Sequence, residues 1–338
     1  MKPESRIAVA VVVAALAAGL AACGEKDESG ITADSQQFDL VLDFYVNPDH
    51  AGILMASERG YFERAGLDVK TRVPSDPSAP IKDVAAGRAD LAISYEPEVF
   101  LAQEQGLDVT AVAALVDEPL TSLISLPEAE IAAPQDLRGK TVATAGIPYQ
   151  TDYLATILQR AGLSPSNVEQ VDVGLNLLPA LLGGQADAIL GGFRNIEGVD
   201  LAERGEDPVI VPVNELGVPN YDELVLVANS ERLEDDPEEL QLFISALAKG
   251  TADAVADPVG ATDAVVAAGN GLDPKLTGAE VAATLPLLAQ APDEPFGLLD
   301  AEEWDLFASW MVDNDLIDDA PDTGEVLSNE LLPAEEEK

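Results

Sequence analysis

Two stretches of the sequence follow one plan, and that repetition restricts the fold more than any other feature. Arg64-Ala65-Gly66-Leu67 is followed by Gly87-Arg88-Ala89-Asp90-Leu91-Ala92-Ile93. Further on, Arg160-Ala161-Gly162-Leu163 is followed by Gly184-Gln185-Ala186-Asp187-Ala188-Ile189-Leu190. Gly87 stands 23 positions after Arg64, and Gly184 stands 24 after Arg160. Each copy reads as helix, glycine stop, strand, helix, glycine stop, strand. Glycine suits such stops because the left-handed cap penalises a Cβ. Alternation at this spacing predicts an α/β architecture with a largely parallel sheet, and two copies predict two α/β lobes. In open α/β sheets a ligand sits beyond the carboxyl ends of the strands. That rule points to Ser94-Tyr95-Glu96 in one lobe and to Gly191-Gly192-Phe193-Arg194-Asn195-Ile196-Glu197 in the other.

The rest of the chain fits this frame. Residues 38–44 (FDLVLDF) alternate and then turn apolar, as a strand entering a sheet does. A helix over 51–59 stops at Gly60, a strand covers 68–73, and 74–78 form a proline-rich turn. Helix 79–86, strand 90–94, helix 98–105 and strand 109–115 follow. The second lobe opens with a strand over 139–144, a turn through Gly146 and a helix from Thr151 to Arg160. Another buried strand covers 224–228. Asp236-Pro237-Glu238-Glu239 reads as a helix start, with Asp236 as cap and Glu239 reaching back. Trp304, Phe307 and Trp310 share one helix face and read as core.

The loop after the first strand gathers Phe44, Tyr45, Asn47, Asp49 and the single histidine, His50. Aromatic faces with directional hydrogen-bonding groups suit a flat, polar small molecule. The Asn47 amide offers both a donor and an acceptor to a ring edge. His50 has two open roles: to contact ligand, or to fix the loop by capping the helix that starts at Ala51. Tyr95, Tyr149, Phe193 and Tyr221 are further stacking candidates. The turn at Gly146 precedes a helix start, where backbone N–H groups can receive a ligand oxygen.

Charge and cysteine exclude several functions. Sixty-two acidic residues against 18 basic ones leave a net charge of -44 over 338 residues. Nucleic-acid binding needs a basic surface, and so does adhesion to anionic lipid through a basic patch. The acidity reads as a heavily solvated surface. The lone cysteine, Cys23, forms no internal disulfide and no cysteine-based metal site; no metal ligation is expected. Lys2 and Arg6 precede an apolar run over 7–22, short for a membrane span and apt for a secretory core. Its end, Leu20-Ala21-Ala22-Cys23, resembles a bacterial lipoprotein box, with Cys23 as the lipid attachment site. An ordinary secretory signal with a chance cysteine is the alternative. Residues 24–37 read as a flexible tether and 333–338 as a charged tail.

Several longer strings resemble those of bacterial substrate-binding proteins for thiamine-pyrimidine precursors, a superfamily shared with the fungal-type thiamine pyrimidine synthase. They are Asn47-Pro48-Asp49-His50-Ala51-Gly52, Gly60-Tyr61-Phe62, Pro74-Ser75-Asp76-Pro77-Ser78, Ile93-Ser94-Tyr95-Glu96-Pro97-Glu98, Asp117-Glu118-Pro119-Leu120-Thr121-Ser122 and the run from Gly191 to Glu197. The resemblance implies a type II periplasmic-binding-protein fold: two α/β lobes, a cleft and two hinge crossovers, near 123–126 and 224–228. Lobe one would comprise 38–125 and 226–332, and lobe two 126–225. The function implied is that of a monomeric, extracytoplasmic, lipid-anchored solute receptor. It would deliver a formylated or free aminomethyl- or hydroxymethyl-pyrimidine to the permease and ATPase subunits of an ABC importer, with no cofactor.

By the same resemblance Glu197 is the carboxylate that accepts from the exocyclic amine. Thr121 and Ser122 lie by the first crossover, within reach of the ligand's substituent, and Ser94 and Asn195 are further site candidates. The chain also departs from its relatives. The family usually has tryptophan at the positions of Phe44 and Arg194, which leaves riboflavin or another flat heterocycle as an alternative ligand. The synthase branch carries a cofactor lysine and a donor histidine where this chain has Ser94 and Glu98. Its cysteine-rich motif falls at Pro219-Asn220-Tyr221-Asp222-Glu223, which has no cysteine. An enzymatic role is therefore not expected.

Overall fold

The computed structural model describes residues 35–288 and 295–333. The expected signal segment with Cys23, the expected tether up to residue 34 and the tail beyond Pro333 lie outside the described residues. Strand β1 (Gln36–Val41) begins two residues before its expected start at Phe38, because Gln36 and Gln37 already pair with β2. The chain continues through α1 (Ala51–Glu58), α2 (Tyr61–Arg64), β2 (Leu67–Arg72), α3 (Pro80–Ala85), β3 (Leu91–Ser94), α4 (Glu96–Glu104) and β4 (Val109–Val116). After the first crossing come β5 (Thr121–Ser125), β6 (Thr141–Thr144), α5 (Pro148–Arg160), β7 (Glu169–Asp172), α6 (Leu177–Leu182), β8 (Ala188–Phe193), α7 (Glu197–Glu203) and β9 (Val209–Pro212). The return brings β10 (Leu224–Asn229) and then helices α8 (Ser230–Asp235), α9 (Pro237–Ala256), α10 (Pro258–Ala268), α11 (Pro274–Thr284), α12 (Ala301–Asp313) and α13 (Thr323–Val326).

Two five-stranded sheets result, with orders β2-β1-β3-β10-β4 and β7-β6-β8-β5-β9. In each, three parallel strands are followed by one strand that crosses from the other lobe and runs antiparallel to its neighbours. The sequence repeat has a direct physical counterpart here. The Asp90 N–H donates to the Asp39 carbonyl (2.9 Å), and the Asp39 N–H donates to Asp90 Oδ2 (2.6 Å). Asp187 and Thr141 exchange the same two bonds, at 2.9 and 2.8 Å. The repeated Ala-Asp dipeptide thus fastens the third strand of each lobe to its first.

The crossovers lie earlier than expected. Thr121–Ser125 pairs with β8 and β9 of the second sheet, so the chain has already crossed by Thr121. Leu224 and Val225 pair with β4 of the first sheet, so the return precedes Leu224. Glu223, fully buried, clasps one crossover to the other. Its Oε2 accepts from the N–H groups of Leu120 and Thr121 (both 2.7 Å) and from the Tyr221 hydroxyl (2.9 Å), and its Oε1 accepts from the Thr121 hydroxyl (2.8 Å). Four donors on one carboxylate offset the cost of burying it.

The core behind the first sheet is aromatic. Phe243 of α9 stacks between Phe38 and Phe62, each pair at 4.8 Å between ring centroids. Trp304 and Phe307 of α12 are buried as expected, and Trp310 is half-buried beside them. The capping box expected at Asp236 does not form, because α8 runs up to that residue. Glu239 instead pairs with Arg232 of α8. Among the described residues no helix is long and apolar enough to cross a membrane.

Candidate functional site

The first wall of the cleft is a loop that its own side chains hold shut. Pro48 sets the first turn of a short 3₁₀ segment, Pro48–His50. Asn47 caps it: its Oδ1 accepts from the Asp49 N–H (2.8 Å) and its Nδ2 donates to the Tyr45 carbonyl (3.1 Å). His50 is completely buried and closes the box. Its Nδ1 accepts from the Asn47 N–H (3.2 Å), which leaves Nε2 to donate to Asp43 Oδ1 (2.8 Å). The Tyr95 hydroxyl donates to the other Asp43 oxygen (3.1 Å). Asp43 is thereby oriented from both sides, with remaining lone pairs available to a ligand.

The second wall is built from the ends of β6 and β8. Gly146 (φ +79°) turns the chain where a Cβ would strike the Asp172 carboxylate. Gln150 folds back so that its Oε1 accepts from the Ala145 N–H (2.8 Å). Its amide lies over Gly191 (φ +110°), where a Cβ would collide with it. Glu197, the first residue of α7, accepts from the Phe193 N–H at 2.7 Å. Helix α11 supplies the third side, packed on α10, on the 3₁₀ segment and on α7, with Glu280 facing in.

These walls enclose a cavity of about 310 Å³. Phe44, Tyr45, Tyr95, Tyr149 and Phe193 line it, with Tyr95 and Tyr149 meeting across the lobes at 5.5 Å. Asp43, Glu197, Asp200 and Glu280 also line it, and among the described residues no lysine, arginine or histidine does. Burial pushes the Glu197 carboxyl up to about 7, against the opposing pull of the Phe193 N–H. Glu280 is pushed up to about 8 by burial and by the charges of Asp200 and Glu197. These acids are spread round the wall: among the described residues no group of three or more His, Cys, Asp or Glu side chains could hold a metal ion.

Seven of the residues expected in the site line the cavity: Phe44, Tyr45, Asn47, Tyr95, Tyr149, Phe193 and Glu197. The other six do not, each for a visible reason. His50 lies behind Asp43 and fixes the loop through the Asn47 N–H, not by capping α1. Ser94 donates to Glu98 Oε2 (2.9 Å) inside the core. Thr121 and Tyr221 belong to the Glu223 clasp. Gly146 is covered by Asp172, and the nearby Ala145 N–H is already taken by Gln150. Asn195 bridges the lobes instead: its Nδ2 donates to Asp49 Oδ1 (2.7 Å) and to Thr284 Oγ1 (2.8 Å). Asn47, expected to read the ligand's edge, commits its amide to the cap first.

Residues not anticipated include Asp43, Gln150, Asn176, Asp200 and Glu280. Asp43 had a signal, being an acid at the carboxyl end of a strand. Asp200 had one too, three positions after Glu197 on the same helix. Nothing near Glu280 in the sequence marks it. Of Phe44 and Arg194, the two positions where the resemblance implies tryptophan, only Phe44 touches the cavity. Arg194 turns away, with Nε on the Pro119 carbonyl (3.2 Å) and Nη2 on Glu118 (2.9 Å).

The family profile described as NMT1/THI5 like matches residues 47–261. The chain belongs to the NMT1/THI5-like family. A protein named for thiamine biosynthesis in Haemophilus influenzae is 37% identical, with 83% of this chain and 88% of that one covered. The formylaminopyrimidine-binding protein of Halalkalibacterium halodurans is 35% identical over 83% of this chain and 86% of its own. The 4-amino-5-hydroxymethyl-2-methylpyrimidine phosphate synthase of Schizosaccharomyces pombe is more distant, at 26% identity over 67% of either chain. Among solved structures, the alkanesulfonate-binding protein SsuA of Xanthomonas axonopodis superposes with a TM-score of 0.68 at 17% identity, covering 88% of this chain and all of that one. The fold of this family member is therefore that of the periplasmic binding proteins, two α/β lobes around a cleft.

Proposed function

We propose that this chain is an extracytoplasmic solute receptor whose ligand is an aminopyrimidine precursor of thiamine. The observation that carries the reading is the placing of Asp43 on one lobe opposite Glu197 on the other, across a cavity walled by aromatic rings and, among the described residues, lined by no basic side chain. A flat aminopyrimidine presents N–H donors at its edge and two faces for stacking. Two carboxylates from opposite lobes accept from that edge, and the rings of Phe44, Tyr45, Tyr95, Tyr149 and Phe193 cover the faces. Each charge-assisted bond contributes about 1.5–3 kcal/mol. A phosphorylated or sulfonated ligand would meet four acids in the same space. Because the carboxylates sit on different lobes, ligand favours the closed arrangement over an open one. The family relatives named for thiamine biosynthesis and formylaminopyrimidine binding support the same ligand class.

The remaining parts of the reading follow from that role. Cys23 carries a lipid that tethers the receptor to the membrane, and the ligand passes to an ABC permease and its ATPase. The protein is not an enzyme. Where the synthase branch carries its lysine and histidine, Ser94 and Glu98 bond to each other in the core, away from the cavity.

Native mass spectrometry of the purified chain, titrated with the formylated, aminomethyl and hydroxymethyl pyrimidines, tests the ligand. A one-to-one complex with at least one of them is expected. Binding of a flavin in their place would overturn the ligand class. Product formed from histidine and pyridoxal phosphate would overturn the non-enzymatic reading. Loss of lipid labelling in Cys23→Ser checks the anchor.

A further inference from the structure

Glu280 is a carboxyl whose setting the aminopyrimidine edge does not account for. It lies on α11, more than nine-tenths buried at 8% exposure, and it faces the cavity. Among the described residues it makes no hydrogen bond and no ion pair. Its side chain is packed in protein while its carboxyl oxygens open to the cavity, so without ligand only solvent can satisfy them, and burial still disfavours the charged form. The groups facing it are Glu197 and Asp200, both acids, from α7. The two cations nearby are engaged elsewhere. Arg204 grips Asp200 with two nitrogens, and Lys275 of the same helix pairs with Glu203 on the outer surface. Among the described residues, Glu280 is the acid here that neither a cation nor an N–H group serves.

We propose that Glu280 forms a second subsite that takes a primary ammonium group carried on a short arm of the ligand ring. The inference rests on the aminopyrimidine reading and narrows it. Among the pyrimidines of that class, the free aminomethyl compound is preferred to its formylated or hydroxymethyl counterparts. The aromatic wall and the Asp43 and Glu197 carboxylates hold the ring, and Glu280 reads the arm. An ammonium arm ionises Glu280 and forms the buried pair the empty site lacks. A formamide arm is neutral and leaves Glu280 protonated.

The two arms therefore differ in proton traffic. With Glu280 pushed up to about 8, binding of the ammonium near pH 7 releases a proton from it. Release of one proton strengthens binding about tenfold per pH unit below that value. Protons exchanged at Glu197 are common to both ligands and cancel in their ratio.

Isothermal titration of the full chain with 4-amino-5-aminomethyl-2-methylpyrimidine and with its N-formyl derivative, at pH 6, 7 and 8, tests the subsite. The aminomethyl compound is expected to bind more tightly at pH 8. Its advantage over the formyl compound should grow about tenfold per unit between pH 6 and 7. In Glu280→Gln that advantage should shrink at least fivefold and lose its pH slope, while Glu280→Asp keeps the slope. A wild-type ratio that is flat with pH, or tighter binding of the formyl compound at pH 8, overturns the subsite and leaves the pyrimidine reading standing. Binding of neither compound overturns the subsite, and if the hydroxymethyl pyrimidine also fails to bind, the pyrimidine reading falls with it.

Discussion

The two lobes share a scaffold and differ in how they hold their charge. Both fasten the third strand to the first with the same aspartate, Asp90 in one and Asp187 in the other. Beyond the strand ends the likeness stops. In the first lobe Asp43 is fixed on both oxygens, by His50 and by Tyr95, and the loop that carries it is capped by Asn47. In the second lobe Glu197 is held by the Phe193 N–H and is raised to about 7. One wall is a rigid acceptor and the other adjusts its protonation. A receptor that closes on its ligand can use both: the first wall to fix orientation, the second to respond to what has arrived.

The comparison holds only if the lobes are joined through the Glu223 clasp. Glu223→Ala removes the acceptor for two buried backbone N–H groups and two hydroxyls. The expected loss of stability is about 3–5 kcal/mol, read from chemical denaturation. A loss under about 1 kcal/mol would mean that water replaces the carboxylate and that the crossovers are not clasped.

Within the cleft, the rigid wall should matter most. Asp43→Asn removes a charged acceptor that two neighbours hold in place, and pyrimidine affinity should fall roughly 10–100-fold. His50→Ala leaves the carboxylate but removes its support and the box on Asn47, so its effect should be smaller and accompanied by lower thermal stability. Calorimetry of the two variants side by side separates recognition from positioning. Equal losses would erase the distinction.

How far these roles are legible in the sequence differs between the same two regions. The repeat of Ala-Asp before the third strand of each lobe is visible because it serves local pairing within one motif. The aromatic loop after β1 is visible because its residue types are unusual and close together. The roles inside it are less so. Asn47 has the amide a ligand edge would want, and the backbone of Asp49 takes it first. Thr121 and Tyr221 are polar and aromatic residues beside the crossovers, as a binding site would have. Glu223, the acceptor both serve, is recognisable only once the two crossovers lie side by side. Glu280 lies 83 residues beyond Glu197, on a helix whose approach to the cleft depends on packing against α7, α10 and the 3₁₀ segment.

Carboxyls raised by burial across the whole protein, two of them on the cavity wall, predict a pH signature. Asp49, Glu98, Glu197 and Asp222 are raised to about 7 and Glu280 to about 8, in each case chiefly by burial. Each folded-state value lies above the unfolded one, so the folded protein retains protons that the unfolded chain has released. The associated stability is complete below the unfolded values near 4 and is lost as pH rises through 7 and 8. The ligand-free protein should melt roughly 5 °C lower at pH 8 than at pH 5.5. A melting temperature that is level or rises over that interval would contradict protonation of these buried carboxyls.

The smallest effect concerns the contact where the lobes meet. Asn195 of the second lobe donates to Asp49 of the first, and on this same pair Asp49 Oδ2 and Asn195 Oδ1 are both buried without a partner. Two acceptors cannot satisfy each other, but a proton on Asp49 makes one of them a donor. Burial raises Asp49 to about 7, opposed by His50 and by the Asn195 amide and aided by Asp43 and Glu197, so that proton is present on the acid side of neutrality. Closure should then be favoured at lower pH and weaken as Asp49 ionises. Asn195→Ala removes the bridge and should weaken ligand binding about fivefold, near 1 kcal/mol, with little change in melting temperature. Asp49→Asn supplies an amide N–H where the proton would be, so it should bind as tightly as the wild type at pH 6 and hold that affinity at pH 8. If Asp49→Asn instead weakens binding as much as Asn195→Ala at both pH values, the lobes meet through a simple charged acceptor and no proton takes part in their closing.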